Sequence, residues 1–153
     1  MRPLAIDTNL LVLLVVGLAS KDLIGKHKRL CEFSVADFDL LTVILRAHSH
    51  LVVTPNVWTE TSNLSRQIGE PARNRISAVM RGLIDQSEEA YVTSASAAAS
   101  DEFVRLGLTD AALLEVKPIS IPFVTSDLDL YLAAQKAGRE VVNFNHIREA
   151  NRE

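Results

Sequence analysis

Apolar and polar residues fall into blocks along this chain, and the blocks change type in a regular order. Short apolar runs at Pro3–Ile6, Leu51–Thr54, Ala90–Thr93, Phe123–Thr125 and Glu140–Phe144 read as strands. The stretches between them carry helical signals. Leu10–Ala19 is apolar on every side, which predicts a buried helix. Thr54-Pro55 is a helix start, a capping hydroxyl followed by proline in the first turn; Val57, Thr61, Leu64 and Ile68 then share one stripe, with Glu60 near it. Gly69-Glu70-Pro71 stops that helix and begins another carrying Ile76, Val79, Met80, Leu83 and Ile84, so the two predict a helical hairpin. Ala95–Leu106 and Thr109–Val116 predict two further helices joined at Gly107. Pro122 has no backbone donor and confines the fourth strand to its later residues. Strands alternating with helices predict an α/β domain, a three-layer α/β/α sandwich around a central parallel sheet. No repeat or long linker divides residues 1–153, so one domain is expected.

Composition changes this picture little. Apolar residues make up 48% and charged residues 23%, which excludes disordered and fibrous classes. Cys31 is the only cysteine, so an intrachain disulfide and a multi-thiolate zinc site are both excluded, and a reducing compartment is expected. Arg2 before the apolar run faintly resembles an export signal, but Asp7 and Asn9 interrupt the approach. The run of ten residues is far short of the ~20 that a membrane span needs. The cytoplasm is the expected location, with no membrane partner.

Charge is more informative. A net charge of −3 argues against a protein that coats nucleic acid, yet residues 1–82 carry net +3 and residues 83–153 net −6. Lys21, Lys26, Lys28 and Arg29 form one basic stretch, and Arg66, Arg73, Arg75 and Arg81 lie along the hairpin. They are candidate contacts to a polyanion. His48 and His50 have strand spacing but lack further ligands for zinc.

The acidic residues hold the candidate chemistry. Asp7 follows the first strand and Asp127 the fourth, at the carboxyl ends where open α/β sheets place their sites. If those strands are neighbours, both face one crevice. Asp110 begins the helix before the fourth strand, and Glu60 can arrive from the helix after the second. Four acids gathered without basic partners repel one another unless a cation neutralises them. Mg²⁺ or Mn²⁺ suits such oxygen-only ligation, and phosphodiester chemistry follows from it. The structural alternative is that Asp110, Asp127 and Asp129 merely cap helices, Asp129 as partner of Ser126 in a loose capping box.

Four segments together resemble the PIN-domain nucleases, a family that includes VapC-like toxins of bacterial toxin–antitoxin pairs. They are Ile6-Asp7-Thr8-Asn9-Leu10-Leu11, Thr54-Pro55 through Trp58-Thr59-Glu60 with Asn63-Leu64, Leu108-Thr109-Asp110-Ala111-Ala112, and Val124-Thr125-Ser126-Asp127-Leu128-Asp129. The resemblance implies a Mg²⁺- or Mn²⁺-dependent endoribonuclease with Asp7, Glu60, Asp110 and Asp127 as its acidic quartet. Asp7, Asp110 and Asp127 would hold metal, and Glu60 or Asp129 would hold water or a second ion. Thr8, Asn9, Thr125 and Asp129 match supporting positions. An RNA substrate, an antitoxin partner and a homodimer are implied with it. Lys21–Asp39 is longer than in the smallest toxins of the family. The alternatives are a PIN-like module that binds RNA or protein without cutting, and a dehalogenase-type phosphatase, against which Asn9 stands where that motif needs a second aspartate.

Overall fold

The computed structural model describes residues 1–152. Its centre is an all-parallel five-stranded sheet of β1 (Leu4–Ile6), β2 (Leu51–Val53), β3 (Glu88–Glu89), β4 (Phe123–Thr125) and β5 (Val141–Asn143), in the order β3-β2-β1-β4-β5. The first and fourth strands are therefore neighbours, with Ala5 opposite Phe123 and Ile6 opposite Val124. This is where the strand order reverses, the point at which open α/β sheets leave a crevice at their carboxyl edge.

Side chains alternate across the strands and divide the interior in two. Leu4, Ile6, Val53 and Val124 face one core, closed by α1 (Thr8–Ala19), α2 (Val35–Arg46), α3 (Pro55–Ser65), α4 (Ala72–Gln86) and Phe144 of α9 (Phe144–Asn151). Ala5, Val52 and Phe123 face the other, closed by α7 (Leu108–Leu114) and α8 (Leu128–Lys136). Two short helices, α5 (Ser94–Ala98) and α6 (Phe103–Leu106), extend that second layer, and Ala97 of α5 packs on Ala111 and Ala112 of α7. The architecture is the three-layer α/β/α sandwich expected. Among the described residues no helix is long and apolar enough to cross a membrane.

The buried helix α1 is contacted by α2, α3 and α4, which is why its residues from Leu10 to Gly17 are all buried. Its contact with α2 is close enough to require glycine. A Cβ at Gly17 would stand 2.2 Å from the Phe38 ring, whose own position is buried. Gly17→Ala is expected to cost about 2–3 kcal/mol through overpacking. Urea unfolding checks this, and partial recovery in Gly17→Ala with Phe38→Leu would place the cost at that contact.

Several boundaries differ from expectation for physical reasons. The third strand is Glu88–Glu89, with Ala90–Thr93 following it as irregular chain. It is a sheet edge whose two residues are exposed but paired with Val52 and Val53, so backbone hydrogen bonding defines it and hydrophobicity does not. Ala95–Leu106 is two helices, interrupted at 99–102. The fifth strand ends at Asn143, which still pairs with Thr125 while its side chain caps α9, accepting from the Asn145 and His146 amides, so Phe144 belongs to the helix. The stretch after α1 holds two 3-10 turns, Lys21–Lys26 and Lys28–Leu30, pinned by buried His27, whose ring bonds the Ser65 carbonyl at 2.9 Å.

Candidate active site

Asp7 is the residue immediately after β1, and three groups converge on its buried carboxylate. The Leu10 amide donates to Oδ1 at 3.1 Å, making Asp7 the cap of α1. The Ser126 amide donates to Oδ2 at 3.1 Å, and the Thr125 hydroxyl donates to the same oxygen. Thr125 in turn accepts from the Asp127 amide at 3.0 Å. The ends of β1 and β4 are thus tied together through one carboxylate and one hydroxyl. Burial still dominates: it pushes the Asp7 carboxyl up to about 6, with Asp127 adding repulsion, although the three hydrogen bonds pull the other way.

Asp7, Glu60, Asp110 and Asp127 line one recess of about 110 Å³, together with Thr8, Asn9 and Leu64. Asp127 caps α8 through the Leu130 amide at 3.0 Å, so the cap is Asp127 and not Ser126. Asp110 stands in the first turn of α7. That turn is set by Gly107, whose φ of 86° is open to glycine and strained for other residues. Half-buried Asp110 is pushed up to about 7, first by burial and then by Asp7, Asp127 and Glu60. Among the described residues, no lysine or arginine lines the recess to offset these charges. The sequence expectation that four distant acids face one crevice is met.

Asp129 stands outside that recess lining, with a mostly exposed side chain 3.6 Å from Arg105. Arg105 is a residue that sequence reasoning missed. Its guanidinium is held by Glu102 at 2.6 and 3.2 Å and feels the charge of both Asp129 and Asp127. The only sequence signal was the Glu102–Arg105 spacing of one helical turn. Thr109 was also missed in this role; its hydroxyl donates to Glu60 and so joins α7 to α3 at the rim. A third support comes from α9, where Asn145 donates to the Ser126 carbonyl at 2.8 Å. Arg148 donates to Asn145 at 3.1 Å and pairs with buried Asp37 at 3.1 Å, so α2 and α9 brace the loop that holds Asp7.

The expected basic contacts lie elsewhere. None of Lys21, Lys26, Lys28, Arg29, Arg66, Arg73, Arg75 and Arg81 lines the recess. Lys21 pairs with Asp39 at 2.8 Å, Arg29 donates to Gln67, and Arg75 to the Ala19 carbonyl. His50 pairs with Glu88, while His48 bonds the Ile44 carbonyl. Cys31 is exposed and its thiol lies 3.0 Å from the Lys28 carbonyl.

The donor set around the recess is the kind that hard dications prefer, carboxylates with hydroxyl and amide oxygens beside them. Among the described residues, however, no three His, Cys, Asp or Glu side chains stand close enough together to form a metal site. Uncompensated like charges favour such spacing, and two of the four acids are engaged in caps. Thr8 lines the recess, and among the described residues its buried hydroxyl has no hydrogen-bond partner within the protein, as is also true of Thr61 outside the recess. No protein-family model matches the chain, and no curated protein matches it.

Proposed function

We propose that the chain is a Mg²⁺- or Mn²⁺-dependent endoribonuclease of the PIN type, cutting RNA phosphodiesters at the acidic recess. What carries the reading is the gathering of Asp7, Glu60, Asp110 and Asp127 from four separate elements into one recess without a lining cation. A dication bound there supplies a water of lowered pKa and stabilises charge on the phosphoryl oxygens. Asp7, Asp110 and Asp127, too far apart for all three to share an ion directly, would hold it in part through its waters. Glu60, steadied by the Thr109 hydroxyl, orients water, and Thr125 fixes the direction of the Asp7 carboxylate. Asp129 lies two residues beyond Asp127, in the first turn of α8, where it pairs with Arg105 rather than with a first ion.

Arg105 is within electrostatic reach of Asp127 and Asp129 and is exposed enough to meet a phosphate. Arg105→Ala is expected to weaken RNA binding about three- to tenfold and to reduce the slope of log affinity against log salt by about 0.7. Binding titrations over a salt series check both.

Single-stranded RNA incubated with the protein and Mn²⁺ or Mg²⁺ is the test. Internal cleavage that chelator abolishes and added metal restores is the expected result; intact RNA under all these conditions overturns it. A second reading, a PIN-like module that binds RNA or protein without cutting, is favoured by the capping roles of Asp7 and Asp127. Retained RNA binding without cleavage selects that reading. A toxin role, with an antitoxin partner and a homodimer, belongs to the nuclease proposal. For it, the product of a small adjoining reading frame is expected to bind the protein and stop cleavage.

A further inference from the structure

A second cavity adjoins the acidic recess and has the opposite character. It is a shallow cleft of about 490 Å³, open to solvent along one side. Glu60 lines both cavities, and the Thr109 hydroxyl that donates to it belongs to the lining of the second. The recess and the cleft therefore share one wall. Beyond that wall the cleft is uncharged. Asn56, Thr59 and Ser94 supply polar groups, and Pro55 and Val92 supply apolar surface.

The three polar side chains are free. Asn56 is half-buried and Thr59 and Ser94 are exposed; among the described residues their side chains make no hydrogen bond to the protein, so water solvates them until a ligand enters the cleft. Their neighbours Thr54 and Thr93 perform the helix capping on α3 and α5, so the free groups are not needed for it. A phosphate is a poor occupant, since the only charged lining group is the Glu60 carboxylate. A flat, uncharged ring bearing donors and acceptors on its edge fits both the polar and the apolar surface.

We propose that this cleft seats the nucleobase next to the phosphodiester held at the recess, with Asn56 reading its edge. The inference rests on the nuclease reading for its choice of ligand. A side-chain amide offers a donor and an acceptor side by side, the pairing that recognises a base edge bidentately. Thr59 and Ser94 of the same lining offer further polar contacts, and Val92 and Pro55 offer the apolar surface against which a ring packs. Base preference at one position beside the cut follows.

Two measurements on the full chain test this. In the first, each of the four ribonucleosides, and ribose 5-phosphate as a control, is titrated while the Asn56 side-chain amide is followed by nitrogen–proton NMR. Its resonances are assigned by their loss in Asn56→Asp. At least one nucleoside is expected to move them, with affinity at least fivefold weaker in Asn56→Ala, about the lower limit for a bidentate base contact. Ribose 5-phosphate is expected to leave them in place. In the second, cut positions in a mixed-sequence RNA are mapped, and the preference at one flanking position is expected to flatten about tenfold in Asn56→Ala. The proposal is overturned if no nucleoside moves the Asn56 resonances, or if the variant cuts with an unchanged distribution. Nucleosides that move Asn56 in a protein that cuts no RNA uphold the cleft and remove the nuclease reading instead.

Discussion

Asp7→Asn is expected to lower RNA cleavage by about 10²–10⁴-fold, as loss of roughly 3–5 kcal/mol of transition-state stabilisation implies. The substitution keeps the shape of the side chain and one of its two oxygens. Oδ1 can still accept the Leu10 amide, so α1 stays capped. Oδ2 becomes an amide nitrogen facing the Ser126 amide, which loses its acceptor, while the Thr125 hydroxyl has to reverse its bond. That loss costs about 1–3 kcal/mol. Removal of a buried charge already disfavoured enough to raise its pKa to about 6 offsets it. The folded state is therefore expected to survive with a thermal midpoint close to that of the parent chain. Circular dichroism checks the fold, and a gel assay with Mn²⁺ checks cleavage. Unchanged cleavage in the folded variant would remove Asp7 from the chemistry and the proposed function with it.

Asp110→Asn is expected to raise the stability of the metal-free protein at pH 8 while destroying the activity. Asp110 has a carboxyl near 7 in the folded chain against 3.8 for the free group. Below about pH 4 it is protonated in both states and contributes nothing to the difference between variant and parent. As pH rises through the interval from about 4 to 7, the unfolded chain ionises first, so the parent loses stability relative to the variant. Above pH 7 the gap is constant. Its size is on the order of 1–3 kcal/mol once solvent screening of this half-buried group is allowed for. Urea unfolding of both proteins with chelator, at pH 4.5 and pH 8, measures it. Saturating Mg²⁺ should reverse the order at pH 8, because a ligand at a hundred times its Kd stabilises the binding form by about 2.7 kcal/mol. Equal stability of the two proteins at pH 8 would show that Asp110 carries no unneutralised charge.

Three of the four acids were legible as site candidates before any coordinates because each is tied to a local signal, whereas Glu60 reads locally as a solvated helix residue and was singled out by the family resemblance. Asp7 follows β1 directly, Asp127 follows β4 after Ser126, and Asp110 comes three residues after a glycine that ends one helix and opens another. Such placements depend on a few neighbouring residues, and local chemistry dictates them. The exposed edge strand Glu88–Glu89 was not legible, since nothing in two consecutive glutamates marks a strand; pairing with Val52 and Val53 makes it one. Arg105 and Thr109 were not legible either. Their roles come from Asp129 and Glu60, residues on other helices, and a charge or hydroxyl seeking a distant partner leaves no periodic trace.

The chain's own order of apolar and polar residues settled the α/β class, the buried first helix, and the positions of Asp7 and Asp127 at carboxyl ends of strands. Only the tertiary structure decided that β1 and β4 lie side by side, and hence that acids 120 residues apart share one recess. It also decided that Asp129 turns to Arg105, and that an uncharged cleft begins at Glu60. Hydrophobic periodicity encodes which face of an element is buried. Which elements become neighbours is set by packing and strand pairing summed over the whole chain, and no single segment carries that information.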